Sequence, residues 1–247
     1  MTGGVVPIPD DNAEARVRRT LDCAAVLLER WGYKRVTVED IARRAGIGKG
    51  TVYLHWKTKD DLFSAVLMRD ALSVMAEVIG ALRADPAEVR LSAIGRRQLL
   101  AVMAKPLYRA FYVRDRDVLG KLAGGCLALR AYYDNIRRVY ENYFTILAQA
   151  ELVRRDCECA LVMSAMDAMA TGLVMQWTDG LDPTSPAAAR TAGDVLANTI
   201  TRAFEPEELP PRGAVDEAAR QVIELFNDFF DRQVAMLSAS STRSTSQ

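Results

Sequence analysis

From Asn12 onward the apolar residues Val17, Leu21, Ala24, Leu28 and Trp31 recur three or four positions apart, a spacing that puts them on one face of an α-helix. Gly32 stops this first helix. Thr37 stands where an N-cap belongs, and Asp40 three residues on completes a capping box. That box opens a short second helix with Val38, Ile41, Ala42 and Ala45 on its apolar face and Gly46 at its end. In the short third helix that follows, Val52 and Trp56 share one side while Lys49, Tyr53 and His55 fall on others. Val52, Leu54 and Trp56 are expected to pack this head onto Trp31 and Ile41. Thr58 and Asp61 form a second capping pair, opening a long helix through Leu62, Val66, Met68, Leu72, Met75, Ile79 and Leu82 that stops before Asp85-Pro86.

Beyond Pro86 the pattern stays helical, with no sustained two-residue alternation and no Asn-Gly hairpin signal. Helices are predicted over about 88–106, 114–123 and 127–155, the last along the seam Leu129, Tyr133, Ile136, Tyr140, Tyr143 and Leu147. Asp156 is placed as the cap of a helix over 157–178. Ser185 and Pro186 supply the cap and first turn of one over 185–204, and a last helix spans 215–237. The fold class is therefore all-α. A three-helix helix-turn-helix head occupies 12–67, its connecting helix reaching about residue 84, and a larger helical domain occupies 86–237. Residues 1–11 and the Ser/Thr-rich 238–247 read as disordered tails. The apolar run 160–177 is flanked by Glu158 and interrupted by Asp167; a carboxylate in mid-span is costly in lipid, so this is read as a buried helix rather than a membrane span.

Charge changes the picture of the head. The chain of 247 residues balances 32 basic against 32 acidic residues, so bulk attraction to nucleic acid is not expected. Between Arg30 and Lys59, however, eight basic residues face only Glu39 and Asp40, a local excess of 8 − 2 = +6. Cys23, Cys126, Cys157 and Cys159 are scattered apart from one C-x-C, and read as free thiols of a reducing, cytoplasmic setting. The start MTGGVVPIPDD lacks the charged head and apolar core of a secretory signal.

The stretch AGIGKGTVYLHW, residues 45–56, invites a phosphate-loop reading, which fails on its own terms. Five positions before Gly48 stands Arg43 where a Walker loop needs glycine, and Gly50 follows Lys49 where it needs Ser or Thr. The dinucleotide fingerprint fails at Tyr53. His55 is the sole histidine, no G-x-S-x-G or H-E-x-x-H occurs, and Cys157 and Cys159 have no partner pair, so neither a catalytic constellation, a metal site nor a cofactor is expected. What remains is a short capped helix, a glycine turn, a second short helix and a basic surplus, the pattern of a helix-turn-helix.

Residues 37–63, TVEDIARRAGIGKGTVYLHWKTKDDLF, together with Trp31-Gly32-Tyr33, resemble the amino-terminal signature of the TetR (tetracycline repressor) family, over roughly residues 14–67. The resemblance implies a double-stranded DNA operator as partner. Thr37, Tyr53, His55 and Lys59 would touch phosphates, and Lys49, Gly50 and Thr51 would face bases. Glycine at position 48 departs from the serine N-cap of many relatives. It further implies a homodimer, joined through the helices over 157–178 and 185–204, where Ala165, Ala168, Gly172, Val195 and Thr199 are the candidate interface. A small-molecule effector would occupy a cavity in the second domain.

Candidate lining residues are Met103, Leu107, Phe111, Tyr133, Tyr140, Asp167, Met169 and Trp177, with Asn135 and Gln176 as further polar groups. Such a lining suits a mainly apolar molecule with a cationic or hydroxyl group near Asp167. The last helix is an addition to the family plan, covering the domain's own core or extending the dimer. The expected function is a repressor released from a palindromic operator by that effector. Two rivals stay open: a small-molecule binding protein or enzyme with a vestigial helix-turn-helix, and a transcriptional activator.

Overall fold

The computed structural model describes the backbone of residues 11–124, 127–180 and 185–242, and the side chains of 13–124, 129–176 and 185–237. Every regular element among them is helical. The head consists of α1 (Asp11–Arg35), α2 (Val38–Ala45) and α3 (Lys49–His55). Gly32 leaves helical geometry at φ 71°, so the predicted stop lies inside the nominal bounds of α1. Thr37 and Asp40 form the expected capping box, Gly46 closes α2 in the left-handed region at φ 68°, and Arg19 donates from Nε to the Ala45 carbonyl at 2.8 Å. Such side-chain caps are each worth about 1 kcal/mol, enough to hold a two-turn helix that would not persist alone.

The connecting helix α4 (Lys59–Ala84), opened by the Thr58–Asp61 capping box, is buried on nearly every side from Leu62 to Leu82. It is the mast of the molecule: α1 packs on its first half, and α11 (Arg212–Thr242) runs along it. Ala218, Ala219, Val222, Phe226 and Phe229 of α11 are all buried, so this added helix covers the core of its own chain. It also continues to Thr242, so residues 238–242, expected to be disordered, are helical.

Several boundaries differ from the sequence pattern, each for a local reason. Asp85 caps a 3-10 turn over Pro86–Val89, and only then does α5 (Leu91–Ala104) begin. Pro106, taken as a stop, is also the first residue of a helix that the pattern did not predict, α6 (Pro106–Tyr112), because a proline at the first turn gives up no helical bond. Asp115 caps α7 (Arg116–Leu119), accepting from the backbone N–H groups of Asp117 and Val118, and a 3-10 turn covers Gly120–Gly124. Helix α8 (Leu127–Gln149) ends well before Arg155, with Glu151 at φ 56°. Asp156 does not cap α9 (Cys159–Gly180); its carboxylate binds the Arg154 guanidinium at 2.6 and 3.0 Å.

Helix α10 (Pro186–Phe204), capped by Ser185 as expected, crosses α5 closely. At the end of that crossing the buried Glu205 accepts hydrogen bonds from Arg90, from the Ser92 N–H at 2.8 Å and from the Thr201 hydroxyl at 3.0 Å, so the charge is compensated on several sides. Helix α9 corrects the reading of a buried apolar helix. Over Cys159–Gln176 only Val162 and Val174 are buried, while Leu161 and Met175 are 67% and 53% exposed. By length and apolar composition this helix could cross a membrane.

Candidate nucleic-acid interface and the cavity behind it

Helix α3 divides into two faces. Val52 and Trp56 are buried against the head, whereas Lys49, Gly50, Tyr53 and Leu54 are exposed and Thr51 and His55 are half-buried. Leu54 and Trp31, both expected inside, are 54% and 43% exposed. The reason is angular: Leu54 lies two residues from each of the buried Val52 and Trp56, on the opposite side of a helix of 3.6 residues per turn. Gly48 is the N-cap and makes no side-chain cap bond, and a Cβ placed on Gly50 would meet nothing within 4 Å, so the backbone of α3 is open to close approach.

The charged groups of this face are arranged in a way the sequence did not disclose. The Lys49 ammonium is paired with Glu39 across the turn and stands 5.8 Å from the Tyr53 ring centre. A hydrogen bond from Lys49 holds the Glu39 carboxyl below its ordinary range and raises the lysine in turn. Arg43 is paired with Asp40, and the Thr37 hydroxyl is spent on the capping box. Lys34, Arg35, Arg44 and Lys57 are exposed and make no ion pair among the described residues. Lys59 stands apart: its ammonium donates to the Tyr33 carbonyl and lies 4.2 Å from the Tyr33 ring centre, and desolvation lowers its pKa. It ties the end of α1 to the start of α4 rather than reaching outward.

Behind the head, the segment from Val113 to Gly124 has two faces. One grips the end of α1. A Cβ on Gly32 would stand 2.8 Å from the Asp117 carbonyl, and one on Gly120, itself at φ 56°, would stand 2.7 Å from the Tyr33 ring, so both contacts demand glycine. Lys121 bridges to Asp60 at 2.7 Å, and the Tyr33 hydroxyl donates to the same carboxylate. The other face, Val113, Arg114, Leu122, Ala123 and Gly124, borders a cavity of about 1360 Å³ in the second domain.

Of the expected lining residues, Phe111, Tyr133, Tyr140 and Asp167 border this cavity. Phe111 and Tyr133 stack with ring centres 5.0 Å apart. Met103 and Leu107 are buried in the core instead, and Met169, Asn135 and Gln176 lie elsewhere. The Trp177 side chain falls outside the described residues. Tyr108, Tyr112, Tyr132 and Gln98 were missed, the first two because they ride on the unpredicted α6. Asp167 accepts from the Tyr112 hydroxyl at 2.9 Å. The candidate interface residues Ala168, Gly172, Val195 and Thr199 are exposed and Ala165 is half-buried, along the uncovered side of α9 and α10. Among the described residues no group of His, Cys, Asp and Glu is placed to hold a metal ion.

A capped two-helix unit presenting a basic helix, mounted on a larger helical domain with an internal cavity, defines the class of helix-turn-helix DNA-binding regulators. Residues 21–66 match the family described as bacterial regulatory proteins, tetR family. The HTH-type transcriptional repressor Rv1474c of Mycobacterium tuberculosis is 28% identical over 203 residues, covering 79% of this chain and 98% of that one. The HTH-type transcriptional repressor KstR2 of Rhodococcus jostii is 27% identical over 58% of this chain and 62% of its own length. In fold, the chain is similar to a putative TetR-family regulator from Mesorhizobium loti, with TM-score 0.57 and 21% identity over 80% of this chain and all of that one. It is similar also to the ketosteroid transcriptional regulator KstR2 of Mycobacterium tuberculosis, with TM-score 0.52 and 19% identity over 84% of this chain and all of that one. The head thus matches the tetR family of bacterial regulatory proteins over residues 21–66, and the whole chain is similar in fold to regulators of that family.

Proposed function

We propose that the protein is a repressor that holds a palindromic operator as a homodimer and lets go when a mainly apolar small molecule fills the cavity. The observation that carries this reading is the segment Val113–Gly124, which borders the cavity on one face and clasps the head through Gly120, Lys121 and the Asp117 carbonyl on the other. A ligand that prefers a displaced position of this segment shifts the head with it, and the shift it can impose is limited by its differential affinity for the two arrangements. The names of the relatives, two of them repressors and one a ketosteroid regulator, support this direction.

At the DNA, Lys49 donates to base edges in the major groove, Gly50 clears space, and Thr51, Tyr53 and His55 complete the contact with bases and phosphates. The free cations Arg44 and Lys57 add phosphate contacts that the sequence did not single out. Leu54, facing outward, suits a thymine methyl group.

The test begins with selection of bound genomic fragments to obtain an operator, followed by fluorescence anisotropy on the operator and on a scrambled duplex. Lys49→Ala is expected to cost about 1–3 kcal/mol on the operator and less on the scrambled DNA. Equal losses on both would remove Lys49 as a base reader, and no specific binding by the wild type at any salt would remove the repressor reading altogether.

A further inference from the structure

The inside of the cavity carries more polar chemistry than its apolar walls require. Tyr108 and Tyr112 on α6 and Tyr132, Tyr133 and Tyr140 on α8 all border it. Two of their hydroxyls are accounted for: Tyr112 donates to Asp167 and the Tyr140 oxygen accepts from Gln98. Tyr143, bordering the same space, donates to the Val89 carbonyl at 2.8 Å. The hydroxyls of Tyr108, Tyr132 and Tyr133 make no hydrogen bond among the described residues, and none of them is a sealed, unpartnered polar atom: their residues border the cavity.

Phenylalanine would fill such positions in an ordinary core, whereas a hydroxyl that borders a cavity keeps a donor to offer a bound molecule. Tyrosines are found where a donor has something to meet. Burial raises all of these phenols, Tyr108 and Tyr133 to about 12, so at neutral pH they are uncharged donors. The charged residues of the lining, Arg114, Arg130, Arg137, Asp134, Glu141 and Asp167, are exposed to solvent and balance in sign. The interior therefore offers hydrogen-bond donors in an apolar, aromatic surrounding, without a net charge to hold an ion.

We propose that the cavity is a binding site for an uncharged, largely apolar ring compound that carries a carbonyl oxygen, and that this oxygen accepts from the hydroxyls of Tyr108 and Tyr132 while the ring lies against the Phe111–Tyr133 pair. The expected cationic or hydroxyl group beside Asp167 is replaced in this view, because that carboxylate is already held by Tyr112. The proposal deepens the repressor reading by naming the class of its effector, and its chemistry is testable without DNA.

The full-length protein is titrated with 6-propionyl-2-(dimethylamino)naphthalene, a fluorescent naphthyl ketone whose emission moves to longer wavelength when its carbonyl accepts a hydrogen bond. Fluorenone, fluorene and fluorene-2-carboxylate then compete for the site. Fluorenone is expected to displace the naphthyl ketone about tenfold better than fluorene, the gain of one or two hydrogen bonds that the hydrocarbon cannot make. In the Tyr108→Phe, Tyr132→Phe variant that advantage should fall to about twofold or less, with fluorene unchanged and the probe emission shifted to shorter wavelength.

The proposal is overturned by a naphthyl ketone that does not bind, by equal competition from fluorene and fluorenone, by an advantage that survives in the variant, or by a carboxylate that outcompetes the ketone. Single Tyr→Phe variants keep the rings that pack the wall, and a melting curve separates loss of the site from loss of fold. Operator binding is measured on the same samples. A ketone that binds without loosening DNA leaves this site standing and removes the effector-released repressor reading, whereas DNA binding without ketone recognition does the reverse.

Discussion

On the outer face of α3 the Lys49 ammonium is paired with Glu39 across the turn from α2. Both side chains are exposed, so the pair is screened by water and its loss costs the fold little. Its importance is for binding: a phosphate or base that takes Lys49 must first displace Glu39, and the displaced carboxylate then faces a polyanion. Glu39→Gln is expected to bind operator and scrambled DNA severalfold more tightly and to steepen the salt dependence, read from anisotropy across a potassium chloride series. Weaker binding by the variant would show instead that Glu39 holds Lys49 in its productive position.

Burial of the cavity tyrosines makes the stability of the fold depend on pH at the alkaline end. The Tyr108 and Tyr133 pKa values lie above the unfolded value of 10.0, pushed up by burial. Their contribution to stability is therefore complete below pH 10 and is lost as pH rises towards 12, where the unfolded chain gives up these protons first. Absorbance of tyrosinate at 295 nm should stay well short of eight tyrosines in the folded protein at pH 11, and the remainder should appear together with the loss of helical circular dichroism.

Among the elements, the clasp between the 116–124 segment and the end of α1 ties the head to the segment that borders the cavity. Gly120→Ala puts a Cβ at 2.7 Å from the Tyr33 ring in a backbone region that alanine resists, a strain of about 1–3 kcal/mol. Hydrogen exchange at 33–35 and 116–121 is expected to quicken in this variant while α8 and α10 keep their protection. Lys121→Ala, which removes only the bridge to Asp60, should give the same pattern more weakly. Uniform quickening across the chain would mean that the variant loosens the fold and not the joint.

The sequence pattern located the starts of α2 and α4 because caps are local: Thr37 with Asp40 and Thr58 with Asp61 lie three residues apart and need no tertiary knowledge. It missed the clasp because Gly32 and Tyr33 meet Gly120 and Asp117 across more than eighty residues of chain. It missed much of the cavity because Pro106 opens α6 where a stop was read, hiding Tyr108 and Tyr112. Leu54 was misplaced by hydrophobicity alone, which cannot tell an inward apolar residue from one that faces outward.

For the whole molecule, the uncovered side of α9 and α10 is the feature that a single chain leaves unexplained. Leu161, Met175 and Val195 are each more than half exposed, with the small residues Ala168 and Gly172 between the first two, and Asp167 breaks the α9 run as it would not in a lipid-facing span. An apolar face with small residues at its centre suits a second copy packing helix against helix. Such a pairing would also serve DNA binding, since two recognition helices must stand about 34–36 Å apart to enter successive major grooves of one face. A monomer would keep its head intact and lose the second half-site, so affinity should fall far more than stability. Leu161→Glu with Val195→Glu is expected to sediment as a monomer of half the wild-type mass, to retain the helical circular dichroism of the wild type, and to bind a half-site duplex and the full operator with similar, weak affinity. A variant that remains dimeric and binds the operator at wild-type strength would place the interface on another face of the chain.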